Sequence, residues 1–296
     1  RTDTAIKSLL PCRANPVEAA VPTYTRSHQT SPSGAMSLDQ PAQFVKHQTI
    51  TRDAFLGGRL TLSQPRTGFR AGLDSVLLGA AVPAGTRNVL DLGAGVGTAG
   101  LCALTMGRAE KACLVERDEA ALALARDNVA QNGLAERADV LALDILVKGA
   151  DRRTAGLNDN AYDVVIANPP YFGAGQGTHA PDGARADARH MGTDSLDLWV
   201  KCAATAASAG GTAIVIYPAE GLAALLAALD RRFGGIVILP LCPRPSASAS
   251  RVLVRGQKGS RAPLKLLAAR PLHGDQGNGF TPEFEAILRG TAVLDW

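Results

Sequence analysis

The sequence predicts an α/β fold of the Rossmann-like type, with a mostly parallel sheet and helices on both faces. Three observations support this. From Asn88 to Leu241, short apolar runs of strand length alternate with helical stretches, which is the pattern of repeated β-α-β units. The run Tyr162–Ala167 is almost continuously apolar, which is typical of a strand buried on both faces. A glycine-rich turn follows the first core strand and leads into a helix.

The chain divides by composition into an arm and a domain. Residues 1–45 are rich in Pro, Ser, Thr and Ala and show little periodicity, which predicts a disordered arm. Residues 46–296 are expected to form the domain. Its parts are an N-terminal hairpin and helix over 46–80, a core over 88–241, and C-terminal basic strands and a helix over 242–296.

Turn signals and capping residues place the individual elements. Gly57-Gly58 between two β-prone runs predicts a hairpin, and a short helix is expected to begin near Asp74 or Ser75. Core strands are expected at Val89–Leu92, Ala112–Glu116, Val140–Leu143, Tyr162–Ala167, Thr212–Tyr217 and Ile236–Leu241. Helices are expected at Thr98–Met106, Glu119–Gln131 (capped by Asp118 and stopped by Gly133), Ser195–Ala207, Leu222–Arg232 and after Pro282. The stretch Ala150–Asn160 is polar and predicts a loop. The runs Arg251–Val254 and Leu264–Ala268 are too close for a helical crossover, which predicts an antiparallel edge hairpin.

Composition excludes several classes of protein. The 296 residues are 46% hydrophobic and 20% charged, an ordinary globular composition, and the net charge of +4 permits a nucleic-acid partner without requiring one. The five cysteines have no metal-ligand spacing, which predicts small core residues in a reducing compartment and no metal site. No apolar run approaches the length of a membrane span. We therefore expect a cytoplasmic protein.

The glycine turn contains Gly93, Gly95 and Gly97 and admits two kinds of ligand. Gly95–Gly100 fits the dinucleotide fingerprint, and Glu116 lies about 20 residues further on, so an NAD-dependent dehydrogenase remains an alternative. Against it, Asp91 lies inside the preceding strand, where a carboxylate is awkward beside a pyrophosphate but suits an ammonium group. S-adenosylmethionine carries an ammonium group and no phosphate, and we expect it as the cofactor.

Three carboxylates follow three successive strands and are expected to line one crevice. Asp91 would bind the amino-acid end of S-adenosylmethionine, Glu116 both ribose hydroxyls, and Asp144 the adenine amino group. Each residue by itself also fits an ordinary cap, turn or ion pair. Their joint position at strand ends, where open α/β sheets bind ligands, favours the cofactor site.

The fourth strand ends in Asn168-Pro169-Pro170-Tyr171. Two prolines fix the backbone and remove two donors, so the carbonyls of Asn168 and Pro169 are left as free acceptors. With the Asn168 side chain and the Tyr171 ring, they suit a planar amino group gripped by its two N–H bonds. A Pro-Pro turn with Tyr171 packed on the core is the simpler alternative.

These motifs together resemble those of class I S-adenosylmethionine-dependent methyltransferases of the Asn-Pro-Pro-Tyr subgroup, over residues from about 48 to the end. The chain is most similar to bacterial tRNA adenine-N6 methyltransferases that modify the anticodon loop of a valine tRNA. The closer likeness depends on Gly72–Gly79, on Tyr171-Phe172 before a Gly-rich loop, and on the strand Arg251–Val254. The resemblance implies a seven-stranded sheet, catalytic roles for Asn168, Pro169, Pro170 and Tyr171, and an additional cofactor contact from Asp74. The long arm and the Ser246–Ser250 loop do not match the family pattern.

A tRNA substrate would require basic contacts, and candidates lie in two regions. Arg185 and Arg189 follow the catalytic motif, and Arg244, Arg251 and Arg255 belong to a late basic run without Asp or Glu. The run also fits a solvated face of a hairpin. Other functions remain open: a glutamine-N5 protein methyltransferase, a guanine-N2 rRNA methyltransferase, or a catalytically silent RNA-binding module. The sequence leaves the oligomeric state open.

Overall fold

The computed structural model describes residues 50–68, 70–170 and 193–296, with side chains in the last range from residue 196 onward. The predicted arm, residues 1–45, therefore lies outside the described residues. A two-stranded antiparallel hairpin, β1 (Ile50–Phe55) and β2 (Leu60–Pro65), packs beside one large sheet. The hairpin predicted around Gly57-Gly58 is confirmed.

Seven long strands form the body of the large sheet, in the order β5-β4-β3-β6-β7-β9-β8. All run parallel except β9, which is antiparallel to both of its neighbours. Their bounds are β3 Thr86–Leu92, β4 Ala109–Glu116, β5 Ala138–Ala142, β6 Tyr162–Ala167, β7 Ala207–Pro218, β8 Phe233–Cys242 and β9 Arg251–Lys258. Two short strands, β10 (Lys265–Leu266) and β11 (Arg270–Pro271), pair in parallel with β8.

Helices cover both faces of this sheet. They are α1 Leu73–Ala80, α2 Thr98–Thr105, α3 Glu119–Gln131, α4 Gly149–Thr154, α5 Thr193–Ala206, α6 Leu222–Asp230 and α7 Pro282–Leu288. Alternate residues of β6 point to opposite faces: Val164 and Ile166 join a core with residues of α1, α2, α3 and α7, whereas Val165 and Ala167 join a core with residues of α5 and α6. The two cores confirm the doubly covered sheet expected from the apolar strand pattern.

The C-terminal strands differ from the predicted edge hairpin. β9 lies between β7 and β8, inside the sheet, and the edge beyond β8 is formed by short parallel strands. The prediction was wrong because it considered the link from Val254 to Leu264, whereas β9 forms its hairpin with the preceding strand β8. The consecutive buried residues Val252, Leu253 and Val254 are those of an interior strand covered on both faces.

The predicted loop Ala150–Asn160 was also partly wrong, because its first residues belong to the short helix α4. The buried Arg152 side chain donates to the carbonyls of Ile145 (3.0 Å) and Val147 (2.9 Å). A sequence pattern does not reveal these hydrogen bonds, which fix the segment directly after Asp144.

Two features are absent from the described ranges. No helix there is long and apolar enough to cross a membrane. No group of three or more His, Cys, Asp or Glu side chains there is placed to hold a metal ion. The four cysteines in those ranges, Cys102, Cys113, Cys202 and Cys242, are buried and form no disulfide there.

Candidate active site

The strand register brings the predicted site residues to one edge of the sheet. Leu92, the last residue of β3, pairs with Ala167 of β6 on one side and with Val115 of β4 on the other. Gly93, Asn168 and Glu116 are the next residues of these three strands, so they lie level with one another. Residues from all three strand ends line two adjoining cavities of about 220 and 340 Å³, which share Gly93, Gly95, Glu116 and Asn168.

The glycine turn folds tightly beneath this cleft. Gly93, Gly95 and Gly97 have φ values of 64°, 57° and 89°, a left-handed region that residues with a Cβ rarely adopt. The Gly95 N–H donates to Oε2 of Glu116 (2.8 Å), and Oε1 of Glu116 accepts from the N–H groups of Arg117 (2.8 Å) and Asp118 (2.9 Å). Three backbone donors therefore fix the Glu116 carboxylate at the border between the two cavities.

Asp91 lies at the bottom of the larger cavity and is only 2% exposed. One carboxylate oxygen accepts from the Gly100 N–H (2.9 Å). Burial raises the pKa of Asp91 to about 7, with the Gly100 hydrogen bond opposing the rise and the nearby Glu116 charge adding to it. A cationic ligand beside this carboxyl would lower its pKa again, because an adjacent positive charge favours the ionised form. The site is therefore suited to a ligand that carries a positive charge.

Asp144 lies at the other end of the cleft, in the smaller cavity with the apolar side chains Leu143, Ile145 and Leu146. Its Oδ1 accepts from the Leu146 N–H (2.9 Å), and its Oδ2 is 3.4 Å from Nη1 of Arg117. An apolar slot beside a carboxylate suits a flat base with an amino group. Arg117 forms part of this slot, and no sequence motif predicted its place in the cleft.

Of the predicted motif Asn168-Pro169-Pro170-Tyr171, Asn168 lines both cavities, and Pro169 and Pro170 line the smaller one. Asn168 is partly exposed to the cleft and Pro169 is buried. Asn168 therefore lies where the two cavities meet. Tyr171 lies outside the described residues, so its stacking role stays a prediction.

Trp199, on α5, is a residue of the cleft that sequence reasoning missed. It lines the smaller cavity, is 8% exposed, and has a buried indole Nε1 without a hydrogen-bond partner in the described part of the chain. Its ring packs so closely on Gly93 that a Cβ there would overlap the ring carbon Cη2. Trp199 lies about 30 residues after Asn168, and no short-range sequence spacing identifies it as a residue of the cleft.

The dinucleotide alternative conflicts with the hydrogen bonds of the turn. A pyrophosphate at this position would need the N–H groups of the glycine turn and of the first turn of α2. Gly95 and Gly100 already donate to Glu116 and Asp91, and the Gly97 N–H donates to the Ala94 carbonyl (2.8 Å). These three N–H groups already have acceptors within the chain, two of them carboxylates, which is adverse for a pyrophosphate.

Asp74 and the late arginines are placed in intramolecular contacts. Asp74 accepts from Nε of Arg251 (2.9 Å), and this pair joins α1 to the start of β9 outside the cavity linings. Arg244 donates to the carbonyls of Gly274 and Gly277 (both 2.7 Å), and Arg255 stacks on the Trp296 ring at 4.8 Å from its centroid. Their predicted ligand roles stay predictions, and Arg185 and Arg189 lie outside the described residues.

Known proteins match this architecture. The family model "Methyltransferase small domain" matches residues 72–184. A tRNA1(Val) (adenine(37)-N6)-methyltransferase from Aeromonas salmonicida is 34% identical over 64% of this chain and 77% of its own length, and its namesake from Aeromonas hydrophila is 35% identical over 66% and 79%. The crystal structure of a predicted O-methyltransferase from Agrobacterium tumefaciens superposes with a TM-score of 0.63 and 30% identity, covering 75% of this chain and 98% of that one. The chain therefore belongs to the family of S-adenosylmethionine-dependent methyltransferases that includes the tRNA1(Val) (adenine(37)-N6)-methyltransferases.

Proposed function

We propose that this protein transfers a methyl group from S-adenosylmethionine to the N6 amino group of an adenine in the anticodon loop of a tRNA. The observation that supports this most directly is the level placement of Asn168-Pro169-Pro170 beside the glycine turn, fixed by the Leu92–Ala167 register. Adenine 37 of tRNA1(Val), named by the relatives, is the first position to test. A tRNA substrate would place the reaction in the cytoplasm.

The cleft fits S-adenosylmethionine by the chemistry of its polar groups. Asp91, Glu116, Asp144 and Asn168 all present acceptor oxygens along it, and the cofactor presents an ammonium group, two ribose hydroxyls and an adenine amino group as donors. Asp91 would hold the ammonium group, Glu116 the ribose, and Asp144 with its apolar neighbours the adenine. When bound, the cofactor supplies an electrophilic methyl group on a sulfonium.

The residues of the chain position the acceptor nitrogen. An aromatic amino group is a poor nucleophile because its lone pair is delocalised into the ring. In our proposal, the Asn168 side-chain oxygen and the Pro169 carbonyl each accept one N–H of that group, which favours a pyramidal nitrogen and frees the lone pair. The contribution is orientation and electrostatics. No strong base is needed, since the proton leaves after methyl transfer.

The adenine must leave its stack to reach Asn168, and this costs least in a loop. Tyr171 would then stack on the extruded base. Of the late arginines, Arg244, Arg251 and Arg255 already have intramolecular partners, so a phosphate would have to share each guanidinium with its present contact. They remain our candidates for phosphate contacts, together with Arg185 and Arg189.

Other acceptors within methyl transfer are the relevant alternatives. The name of the Agrobacterium structure implies an oxygen acceptor for that protein, but the paired acceptors at Asn168 and Pro169 match a group with two N–H donors. A protein glutamine and an rRNA guanine both offer such an amino group. Either acceptor would change which macromolecule the protein modifies, but the assignment of the cofactor site would stay the same.

The test is transfer of a labelled methyl group from S-adenosylmethionine to bulk tRNA, followed by digestion to nucleosides. Parallel reactions contain rRNA and a release-factor protein. We expect the label in N6-methyladenosine, and its absence when adenine 37 of tRNA1(Val) is replaced by guanine. Label in 2-methylguanosine, in protein, or on an oxygen atom would refute the proposed acceptor while keeping the cofactor site.

A further inference from the structure

Asn128, on α3, is fully buried and uses all of its hydrogen-bonding capacity. Its Oδ1 accepts from the Ser63 N–H (2.7 Å) and from Nε2 of Gln131 (2.6 Å). Its Nδ2 donates to the carbonyls of Ser63 (3.1 Å) and Val96 (2.9 Å). The side chain therefore joins three segments that are distant in the sequence: α3, strand β2 and the glycine turn. A buried amide satisfied in this way is a strong positional restraint, because its removal leaves buried partners unpaired.

Asn132, one turn further along the chain, makes a similar contact with the same edge of β2. Its Oδ1 accepts from the Thr61 N–H (3.0 Å), and its Nδ2 donates to the Thr61 carbonyl (2.8 Å) and to the Asn128 carbonyl (2.7 Å). Thr61 and Ser63 are alternate residues of β2, and their N–H and carbonyl groups bond to these two asparagines. The side chains of α3 therefore supply the hydrogen bonds that a neighbouring strand would otherwise make with this edge of β2. The hydrogen bonds of the Asn132 side chain, within the described ranges, stay on β2 and α3.

The contact with Val96 matters because the glycine turn has little stiffness of its own. Val96 lies between Gly95 and Gly97, and glycine samples many backbone conformations at small cost. The Val96 carbonyl and the Gly97 N–H belong to one planar peptide group. Holding that carbonyl with Nδ2 of Asn128 therefore limits rotation of this peptide, whose Gly97 N–H donates to the Ala94 carbonyl (2.8 Å). The Ala94 carbonyl shares a peptide group with the Gly95 N–H, which donates to Glu116, so the restraint extends to that hydrogen bond.

The same asparagine also fixes the wall opposite the turn. The last residue of β2 and the segment after it line the larger cavity, together with the glycine turn. We call this side of the cavity the hairpin wall; its residues are Pro65, Thr67, Gly68 and Ala71. The buried Gln64 closes this loop by accepting the Ala71 N–H (2.8 Å). The wall begins two residues after Ser63, so its distance from the turn is set by the bonds of Asn128.

We propose that Asn128 is a positioning residue for cofactor binding, which holds the glycine turn and the hairpin wall at the spacing that the amino-acid end of S-adenosylmethionine requires. It touches neither the cofactor nor the reacting atoms and acts through Val96 and Ser63. The inference depends on the cofactor assignment and is independent of which molecule accepts the methyl group.

Asn128→Ala and its matched control Asn132→Ala test this. Both lose hydrogen bonds to β2, but Asn128→Ala alone loses the bond to Val96. We expect both variants to unfold at lower urea concentration than the wild type. Calorimetry without RNA should show the dissociation constant for S-adenosylmethionine raised about tenfold in Asn128→Ala and within about twofold of the wild type in Asn132→Ala. The KM for the cofactor should rise accordingly, with kcat at saturating cofactor near the wild-type value.

Two results would overturn the inference. Equal weakening in both variants would show that attachment of the hairpin matters and that the link to Val96 does not. Wild-type affinity in Asn128→Ala would show that the turn keeps its shape without it. If Asn128→Ala does not fold, Asn128→Leu with Asn132→Leu as control gives the same comparison, because leucine has nearly the shape of asparagine and leaves no cavity, and only the change at residue 128 removes the bond to Val96. Failure of methyl transfer to tRNA would leave the calorimetric result intact, so the two proposals fail separately.

Discussion

Replacing Asp91 by Asn should make the protein more stable and bind its cofactor more weakly. Asparagine has nearly the same shape as aspartate, and its oxygen can still accept from the Gly100 N–H. The change removes a carboxyl that is buried at the bottom of the cleft. A buried charge without a counterion is costly, and we expect this cost to be visible in the unfolding free energy.

The expected size of the stability difference between the two proteins follows from the raised pKa of Asp91. Burial moves the pKa of Asp91 from 3.8 to about 7, and one pKa step corresponds to about 1.4 kcal/mol. Between about pH 4 and pH 7 the folded protein keeps a proton on Asp91 that the unfolded chain has released. Rising pH in this window therefore lowers wild-type stability by about 1.4 kcal/mol per pH unit, or roughly 4 kcal/mol in all. The asparagine of the variant has no proton to lose, so this contribution is absent from Asp91→Asn.

Urea unfolding of both proteins at pH 5, 6, 7 and 8, without cofactor, measures this effect. Titration of the other groups is common to both proteins and cancels in the difference. The advantage of Asp91→Asn should grow from pH 5 to pH 7 and level off by pH 8. A difference that stays constant across this range would refute the burial argument, because it would mean that Asp91 ionises like an exposed aspartate.

The same pair of proteins separates stability from binding. If Asp91 holds the cofactor ammonium, binding favours the ionised carboxylate and releases its proton. Wild-type affinity for S-adenosylmethionine should then strengthen between pH 5 and pH 7, while the variant binds weakly with little pH dependence. Equal affinity of the two proteins at pH 7 would contradict the ammonium assignment.

Three further changes probe other parts of the site. Asn168→Ala should abolish turnover and leave the cofactor dissociation constant nearly unchanged by calorimetry; loss of cofactor binding would contradict its role at the acceptor nitrogen. Gly93→Ala should lower the unfolding free energy by about 2–4 kcal/mol, from backbone strain and a collision with the indole ring. The control is Gly107→Ala, because Gly107 also has a positive φ but an added Cβ would meet nothing within 4 Å. This variant should lose about 1–2 kcal/mol of unfolding free energy from backbone strain alone. If the two variants lose the same unfolding free energy, the collision with the indole ring is excluded. Arg251→Ala combined with Arg255→Ala should weaken tRNA binding and flatten its salt dependence, whereas an unchanged salt slope would limit both arginines to the fold.

Local chemistry made much of the fold predictable. Helix α3 begins and ends at the predicted residues, since the Asp118 side chain accepts from the Ala121 N–H and Gly133 adopts φ 66° after the helix. Strand β6 has the predicted bounds because its apolar run ends abruptly at Asn168. The carboxyl ends of parallel strands share one edge, so the meeting of Glu116 with the glycine turn also followed from sequence.

Tertiary relations were not predictable from the same patterns. Nothing local to Arg251–Lys258 shows that the strand enters the sheet between two others. Trp199 and Asn128 reach the site from helices remote in sequence, by side-chain contacts that no spacing rule contains. The basic run looked free in the sequence because the partners of Arg244 and Arg255 lie at Gly274, Gly277 and Trp296.

The interior position of β9 has a consequence for synthesis on the ribosome. Strand β8 pairs with β9, β10 and β11, all of which are translated after it. Until β9 emerges, β8 has no place in the sheet, and the free edge of β7 stays open. The cleft strands β3, β4 and β6 are made much earlier and neighbour one another, so we expect the nascent chain to assemble the cofactor end first. The outer edge of β8 would be covered by β10 and β11 only when about nine-tenths of the 296 residues have been translated.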